Sequence, residues 1–134
     1  MIYLDTSALV KLVRREQESD GLADWLDEQG SSPWVSSALI EVELPRALRR
    51  SDPRLIADAP ALVARVARYE IDDVVRAAAA AYPYPYPDLR SLDAIHLATA
   101  KAVFGDSLTA FVAYDERLLA VAADQGLAVE RPGR

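Results

Sequence analysis

The sequence predicts an α/β fold in which a short central parallel sheet is covered by helices on both faces. Short apolar runs alternate with helical patterns along the chain, and strands that alternate with helices form parallel sheets. No internal repeat divides the 134 residues, and this length is typical of one domain. We therefore expect a single domain over residues 1–134 with three layers, α/β/α.

The first half of the chain contains two predicted strands and three predicted helices. Short apolar runs indicate buried strands, and apolar residues that recur every three or four positions indicate helices. In order, the elements are strand 2–4, helix 7–15, helix 21–28, strand 34–36 and helix 38–50. Pro45 lies inside the third helix and should kink it within a turn of Glu43.

The second half continues the alternation. In order, we expect a looser helical segment 54–66 interrupted by Pro60, strand 67–71, helix 73–81, helix 92–104, strand 110–113, helix 116–125 and strand 128–130. The alternating prolines of residues 82–87 predict a polyproline-like connection. Its tyrosines, Tyr82, Tyr84 and Tyr86, are expected in an exposed loop, with stacking on nucleic-acid bases as the alternative. Residues 131–134 are expected to form a frayed tail.

Composition excludes several classes of protein. The chain has no cysteine, so neither disulfides nor thiolate metal sites are available. No apolar stretch is long enough to span a bilayer, and the first residues do not resemble a signal peptide. A protein of the cytoplasm, with no membrane partner, is therefore expected.

Charge argues against a broad cationic surface for nucleic acid, because the net charge is −6. Thirteen of the fifteen basic residues are nevertheless arginines. The basic residues form two clusters, Lys11, Arg14 and Arg15 in the first and Arg46, Arg49, Arg50 and Arg54 in the second. Most such residues lie on solvated helix faces. Both clusters, however, directly follow segments that contain the acidic residues described next, and this placement would suit a phosphate backbone that approaches a metal ion.

Four acids lie where a parallel sheet would gather them: Asp5, Glu43, Asp93 and Asp115. Asp5 and Asp115 end short apolar runs, whereas Glu43 and Asp93 fall in early turns of helices. Ligands of such sheets bind beyond the carboxyl ends of the strands. Because hard divalent cations prefer oxygen ligands, an all-carboxylate pocket there predicts a site for Mg²⁺ or Mn²⁺.

Each acid also has a purely structural explanation. Asp5 and Asp115 could be helix N-caps, and Asp93 could be a first-turn acid beside an N-cap at Ser91. Glu43 could be an exposed helix residue. Together these explanations lose ground, because all four acids fall at the same predicted edge of the sheet.

Two further side chains compete for a place in the pocket. Glu41 and Glu43 point to nearly opposite sides of their helix, so only one can belong, and periodicity leaves the choice open. His96, the only histidine, shares a helix face with Asp93 at a spacing that can chelate metal. A packed or half-buried histidine is the more frequent case, so His96 is a candidate to support the acids from behind.

The sequence offers little support for other reaction mechanisms. Cleavage through the 2′-hydroxyl needs a general acid and base, and one histidine with two lysines offers little for that. No glycine-rich phosphate loop is present. A receiver-like signalling domain requires adjacent acids after the first strand, but Thr6 follows Asp5 here. A phosphatase with an Asp-x-Asp motif requires a second aspartate two residues after the first, and this chain has Ser7 at that position. The pattern therefore favours water activated by a metal.

Four segments carry the acids: Leu4-Asp-Thr-Ser-Ala-Leu9, Glu43-Leu-Pro-Arg-Ala-Leu48, Leu92-Asp-Ala-Ile-His-Leu-Ala-Thr-Ala100 and Tyr114-Asp-Glu-Arg-Leu118. In order and spacing they resemble the motifs of PIN-domain proteins of the VapC toxin type. The resemblance covers almost the whole chain. It implies a PIN-like fold, a Mg²⁺-dependent endoribonuclease in which Mn²⁺ can substitute, and the toxin of a type II toxin–antitoxin system. It also implies a cognate VapB-type antitoxin, an RNA substrate and a homodimer within the toxin–antitoxin complex.

The resemblance assigns roles to the acids position by position. Asp5, Asp93 and Asp115 would hold the metal directly or through water. Glu43, preferred over Glu41 on this ground alone, would orient or deprotonate the nucleophile or complete a second metal site. The alternative function is a PIN-fold module that binds RNA or a protein without cleaving.

Three other positions matter to this resemblance. Ser7 matches a hydroxyl that is often found beside the first acid. Ala113 stands where relatives frequently carry threonine or serine, so one supporting contact of the site is expected to be lost. Pro45 replaces a commoner aliphatic residue and is expected to alter how its helix presents Glu43.

Overall fold

The computed structural model describes residues 1–82 and 89–134. Within them, five strands form one sheet: β1 Ile2–Leu4, β2 Trp34–Ser37, β3 Ala67–Tyr69, β4 Ala110–Val112 and β5 Val129–Glu130. They lie in the order β3-β2-β1-β4-β5, and each neighbouring pair is parallel. The predicted short parallel sheet is confirmed, and its first strand in sequence is its central strand in space.

Helices flank this sheet. Those of the described residues are α1 Thr6–Val13, α2 Ser19–Glu28, α3 Ile40–Ser51, α4 Ala59–Ala64, α5 Asp73–Ala80, α6 Ser91–Ala98 and α7 Glu116–Asp124. Two 3₁₀ turns, Pro53–Asp58 and Gly105–Ser107, and a π-helical turn, Thr99–Phe104, connect them. None of these helices is long and apolar enough to cross a membrane.

The sheet separates two hydrophobic cores. Successive side chains of a strand point to opposite faces, so Ile2 and Leu4 pack in one core and Tyr3 in the other. The first core contains buried residues of α1, α2 and α3, and the second contains Leu97 of α6 and Leu118 of α7. The three residues of β1 are fully buried, as expected of a strand covered on both faces. The predicted three-layer α/β/α arrangement is therefore confirmed, whereas the single domain over residues 1–134 stays a prediction.

Two predicted helices differ from those observed. The segment 54–66 is a 3₁₀ turn followed by α4, and Pro60 lies in the first turn of α4, where its missing N–H has no helical partner to lose. The helix predicted at 92–104 is α6 continued by the π-helical turn. Pro45 lies inside α3 as predicted, and the kink expected from it stays a prediction.

The last four residues are not frayed, so that prediction is wrong. The hydroxyl of Tyr114 donates to the carbonyl of Pro132 at 2.7 Å, and Nη1 of Arg134 donates to the carbonyl of Tyr114 at 3.4 Å. Between them Gly133, with φ +85°, lies against α2 so closely that a Cβ on Gly21 would be 2.5 Å from its Cα. Polar partners on the body of the protein thus hold a tail whose composition suggested disorder.

The proline-rich connection predicted for residues 82–87 falls, apart from Tyr82, outside the described residues, as do Tyr84 and Tyr86. Tyr82 is described, and it is half-buried against the core that contains Phe111. This burial raises the pKa of its hydroxyl to about 12. The exposed position expected for Tyr82 is therefore wrong, because its ring packs on the second core.

Candidate active site

Two neighbouring strands, β1 and β4, bring the first and last predicted acids to one edge of the sheet. Leu4 of β1 pairs with Val112 of β4, and Asp5 follows directly, its N–H donating to the Val112 carbonyl at 3.1 Å. Asp115 lies three residues after β4 and precedes α7. The parallel register therefore delivers both carboxylates to the carboxyl edge, as predicted.

Asp5 is buried, with 5% of its surface exposed. Its Oδ1 accepts hydrogen bonds from the N–H of Ala8, at 3.0 Å, and from Oγ of Ser7, at 2.6 Å, so Asp5 is the N-cap of α1, as one reading of the sequence predicted. Burial raises the pKa of Asp5 to about 6, and the charge of Asp93 adds to the rise, although His96 and the two hydrogen bonds oppose it. The carboxyl group therefore gains a proton more readily than an ordinary aspartate.

Ser7 joins the two strand ends. Its Oγ donates to Asp5 and accepts the N–H of Tyr114 at 3.0 Å. This contact fixes the turn that follows Ala113, the position at which a hydroxyl is frequent in the proteins the chain resembles. Ser7 thus lies beside the first acid, as predicted, and also holds the backbone next to the last one.

Glu43 is half-buried, whereas Glu41 is exposed. Oε1 of Glu43 accepts hydrogen bonds from Oγ1 of Thr6 and from Nε2 of His96, both at 2.6 Å. Burial by itself would raise the pKa of Glu43, but the contacts with His96 and Thr6 outweigh it and lower the pKa. Glu41 lies 3.6 Å from Nε of Arg68, so Glu43, not Glu41, faces the start of α1.

His96 lies behind Glu43, with 2% of its surface exposed. Its Nε2 contacts Glu43, and its Nδ1 is 2.7 Å from the hydroxyl of Tyr3. Sequence reasoning missed Tyr3 and Thr6 as members of this site. Thr6 stands in the Leu-Asp-Thr-Ser motif and could have been noticed, but Tyr3 reads as an ordinary core residue of a buried strand.

Asp93 and Asp115 complete the group of acids. Oδ1 of Asp115 accepts the N–H groups of Arg117 and Leu118, both at 3.0 Å, so this exposed residue is the predicted N-cap of α7. Asp93 is in the first turn of α6, as predicted, but the N-cap of that helix is Arg90. The predicted N-cap at Ser91 is therefore wrong, because Ser91 is already helical.

Electrostatics couple the acids although their side chains do not converge. Burial raises the pKa of Asp93, and the charges of Asp115 and Glu43 raise it further. Among the described residues, however, no three histidine, aspartate or glutamate side chains stand together as a ready metal-binding group. The ring nitrogens of His96, considered as a chelator with Asp93, are both engaged by Tyr3 and Glu43.

The donor chemistry nevertheless fits a hard divalent cation. Oδ2 of Asp5 and Oε2 of Glu43 accept no hydrogen bond from the residues that the structure describes, so one oxygen of each remains available. Repulsion among carboxylates is part of what raises the pKa values of Asp5 and Asp93, and a cation would offset that repulsion. Ligation would require the side chains to turn towards one another.

Comparison with known proteins gives consistent matches. The family described as PIN domain matches residues 2–124. Ribonuclease VapC35 of Mycobacterium tuberculosis is 56% identical over 135 residues, which cover all of this chain and 98% of that protein. Ribonuclease VapC46 of the same species is 41% identical, covering 98% of this chain and 97% of its own, and Ribonuclease VapC47 is 39% identical, covering 99% and 98%. No solved structure matches the chain.

Proposed function

Because the chain belongs to the PIN-domain family and to its VapC proteins, we propose that it is an endoribonuclease that acts as the toxin of a type II toxin–antitoxin system. The membership confirms the resemblance and the PIN-like fold expected from the sequence. The observation that supports the proposal most directly is that Asp5 and Asp115 follow neighbouring strands at the carboxyl edge of the sheet, while the charges of Asp115 and Glu43 act on Asp93 and that of Asp93 acts on Asp5. The relatives that support it are named ribonucleases, and they match this chain over nearly their whole length.

The acids are proposed to divide the chemistry between them. Asp5, Asp93 and Asp115 would hold Mg²⁺, or Mn²⁺ in its place, directly or through water. A cation bound there would lower the pKa of a water molecule and offset charge that develops on the phosphate. Glu43, whose lowered pKa keeps it ionised, would orient or deprotonate the attacking water or complete a second metal site.

An arginine surface on α3, formed by Arg46, Arg49 and Arg50, supports RNA as the substrate. All three side chains are exposed, surround a hollow of about 230 Å³, and form no ion pair with any residue in the described part of the chain. Arg46 and Arg50 lie three and seven residues after Glu43 and so on its side of the helix. At 1.5 Å per residue, Arg50 is about 10 Å along the axis from Glu43. Arginine pairs well with phosphate, so a strand held along α3 would reach the acids.

The partners follow from the same proposal. A VapB-type antitoxin would neutralise the activity, and the chain would be a homodimer within that complex. The competing function, an RNA- or protein-binding PIN module that does not cleave, shares the fold and the arginine surface. It differs in one respect, because it does not require the carboxylates to act.

The first test is cleavage. The purified chain, freed of any bound partner, is incubated with total bacterial RNA in Mg²⁺ or Mn²⁺, beside an EDTA control and the Asp5→Asn variant. We expect discrete fragments that depend on both the metal and Asp5. Cleavage by Asp5→Asn would overturn the role of this residue, and the absence of metal-dependent cleavage across several RNA pools would favour the non-cleaving module.

A second measurement separates metal binding from catalysis. A cation that binds only the folded protein stabilises it, by about 2.7 kcal/mol at a concentration 100 times its dissociation constant. We therefore expect excess Mn²⁺ to raise the melting temperature of the chain but not that of Asp5→Asn. An unchanged melting temperature of the unsubstituted chain would contradict the metal site.

A further inference from the structure

We propose that His96 is a positioning residue for Glu43: Tyr3 holds the imidazole from behind, and the N–H at Nε2 of His96 fixes Oε1 of Glu43 so that Oε2 is left to act. The inference deepens the proposed function and rests on it for its catalytic consequence. Its structural part, the proton on Nε2, does not depend on any activity.

The geometry is a chain of short hydrogen bonds. The hydroxyl of Tyr3 is 2.7 Å from Nδ1 of His96, and Nε2 of His96 is 2.6 Å from Oε1 of Glu43. Tyr3 and His96 are almost completely buried. The ring of Tyr3 stacks on Phe111 with centroids 5.1 Å apart and meets the imidazole edge-on at 5.9 Å. Packing therefore fixes Tyr3, the member of this series of hydrogen bonds that is farther from the acids.

The chemistry of the partners places a proton on Nε2. An ionised carboxylate can only accept hydrogen bonds, so the contact with Glu43 requires an N–H at Nε2. The hydroxyl of Tyr3 can donate to Nδ1 or accept from it, and in either role it holds the far side of the ring.

Two donors then converge on a single oxygen. Oγ1 of Thr6 also donates to Oε1 of Glu43 at 2.6 Å, and it lies 3.4 Å from Nε2 of His96. Without His96, Oε1 of Glu43 would accept a hydrogen bond from Thr6 alone. The partly exposed glutamate side chain would then sample more rotamers, and ordering it for the reaction would cost conformational entropy. Partners behind a functional carboxylate or imidazole change activity by about 10-fold to 100-fold when they are removed.

Protonation of the ring nitrogens can be measured directly because the chain has a single histidine. We would record imidazole ¹⁵N spectra of the full-length, tag-free protein in EDTA. The expected result is a proton on Nε2, both in the unsubstituted protein and in Tyr3→Phe, which keeps the ring but loses the hydroxyl, because Glu43 still requires that donor. A predominant form without a proton on Nε2 in the unsubstituted protein would overturn the proposal.

Kinetics test the consequence with a matched pair of variants. His96→Leu removes the donor at similar volume, whereas His96→Gln restores an N–H close to the position of Nε2. We expect His96→Leu to lower kcat about 10-fold or more with little change in KM, and His96→Gln to recover most of that loss. Equal losses in two variants with equal melting temperatures would show that the donor is irrelevant.

The design separates this inference from the proposed function. If the unsubstituted chain cleaves no RNA, the proposed function fails, and the ¹⁵N spectra still decide whether Nε2 of His96 carries the proton that Glu43 accepts. If His96→Leu does not fold, Tyr3→Phe provides the kinetic test, since its packing is retained. Tyr3→Phe should then lower kcat in the same direction, and unchanged kcat would contradict the positioning role.

Discussion

Asp5 combines two demands that oppose each other. As N-cap of α1 it stabilises the helix by accepting the N–H of Ala8, yet it does so as a buried carboxyl group whose ionisation is disfavoured. Asparagine could cap the helix equally well without a charge to bury. The structure thus keeps an acid where an amide would serve the fold better, which is the pattern expected of a residue retained for chemistry.

Asp5→Asn should therefore stabilise the metal-free protein at neutral pH. The folded-state pKa of about 6 lies above the ordinary value of 3.8, so between these values the folded state binds more protons than the unfolded state, and stability falls as pH rises. The shift corresponds to at most about 3 kcal/mol. We expect Asp5→Asn to raise the free energy of unfolding at pH 7 in EDTA, and the gain to vanish near pH 4.

Denaturant titrations between pH 4 and pH 7 would measure this difference. Asp27→Asn is the control, because Asp27 is an exposed residue of α2. A variant less stable than the parent at pH 7, with an unchanged control, would contradict the cost assigned to burying Asp5.

At the residue scale, prediction succeeded for the N-caps at Asp5 and Asp115 and failed for the one at Ser91. The N-cap roles of Asp5 and Asp115 followed from an acid placed between an apolar run and a helix. The contact between Tyr3 and His96 joins residues that are 93 positions apart, and no periodicity in either segment points to it. Only the packing of α6 on β1 reveals that a core tyrosine has a polar partner.

Among the elements, α3 bears the most residues of the proposed function. It presents Glu43 to α1 near one end and the arginine surface towards the other. Its last turn also has a structural reason to be basic, because cations stabilise the carboxyl end of a helix dipole. The dipole accounts for Arg49 and Arg50 in that turn, but Arg46 lies one turn earlier and needs another explanation.

Replacing Arg46 and Arg50 by glutamine should weaken RNA binding and its dependence on salt. Each lost phosphate contact with a single strand lowers the slope of log affinity against log salt by about 0.7, so the double variant should lose about 1.4. Binding would be measured in the Asp5→Asn background to prevent cleavage. Arg76→Gln on α5 is the matched control, since this exposed arginine donates to the carbonyl of Ile71 and lies outside the arginine surface.

An unchanged salt slope in the double variant would place the RNA elsewhere. A loss of affinity of the same size in Arg76→Gln would indicate a general effect of net charge instead of a surface on α3.

The limits of elements were predicted well where a residue forces them. Strand β1 ends one residue before the acid that caps the next helix, and its apolar run is unambiguous. Helix α1 ends at Val13, two residues earlier than expected, because Arg14 adopts an extended backbone with φ −96° and ψ 123°. Neither Arg14 nor Arg15 is a helix breaker, so the local sequence contains no signal for that change.

For the whole molecule, the C-terminal residues act as a clasp between distant elements. Tyr114, beside the acids, holds Pro132, and Gly133 lies against the amino-terminal turn of α2. The alternation of elements predicted the sheet and its layers, but it could not predict this clasp. Four residues rich in glycine, proline and arginine carry no pattern, and their positions depend on partners that are far away in sequence.

Gly21→Ala tests the clasp because its effect on the free energy of unfolding should differ between the full chain and a truncated one. Alanine in a helix is favoured over glycine by about 1 kcal/mol, but here its Cβ would overlap Gly133. In a chain truncated after Glu130, we expect Gly21→Ala to stabilise by up to that amount. In the full chain the gain should be cancelled or reversed, and equal effects in both backgrounds, measured by denaturant titration, would exclude the contact.

The central place of β1 also has a consequence for biosynthesis. Of the five strands this one is synthesised first, yet one of its two neighbours, β4, begins only at Ala110. Until β4 is made, one edge of β1 has no partner, and Asp115 is absent from the group of acids. A nascent chain that has not yet reached β4 therefore cannot assemble the site, however far its earlier strands and helices have folded.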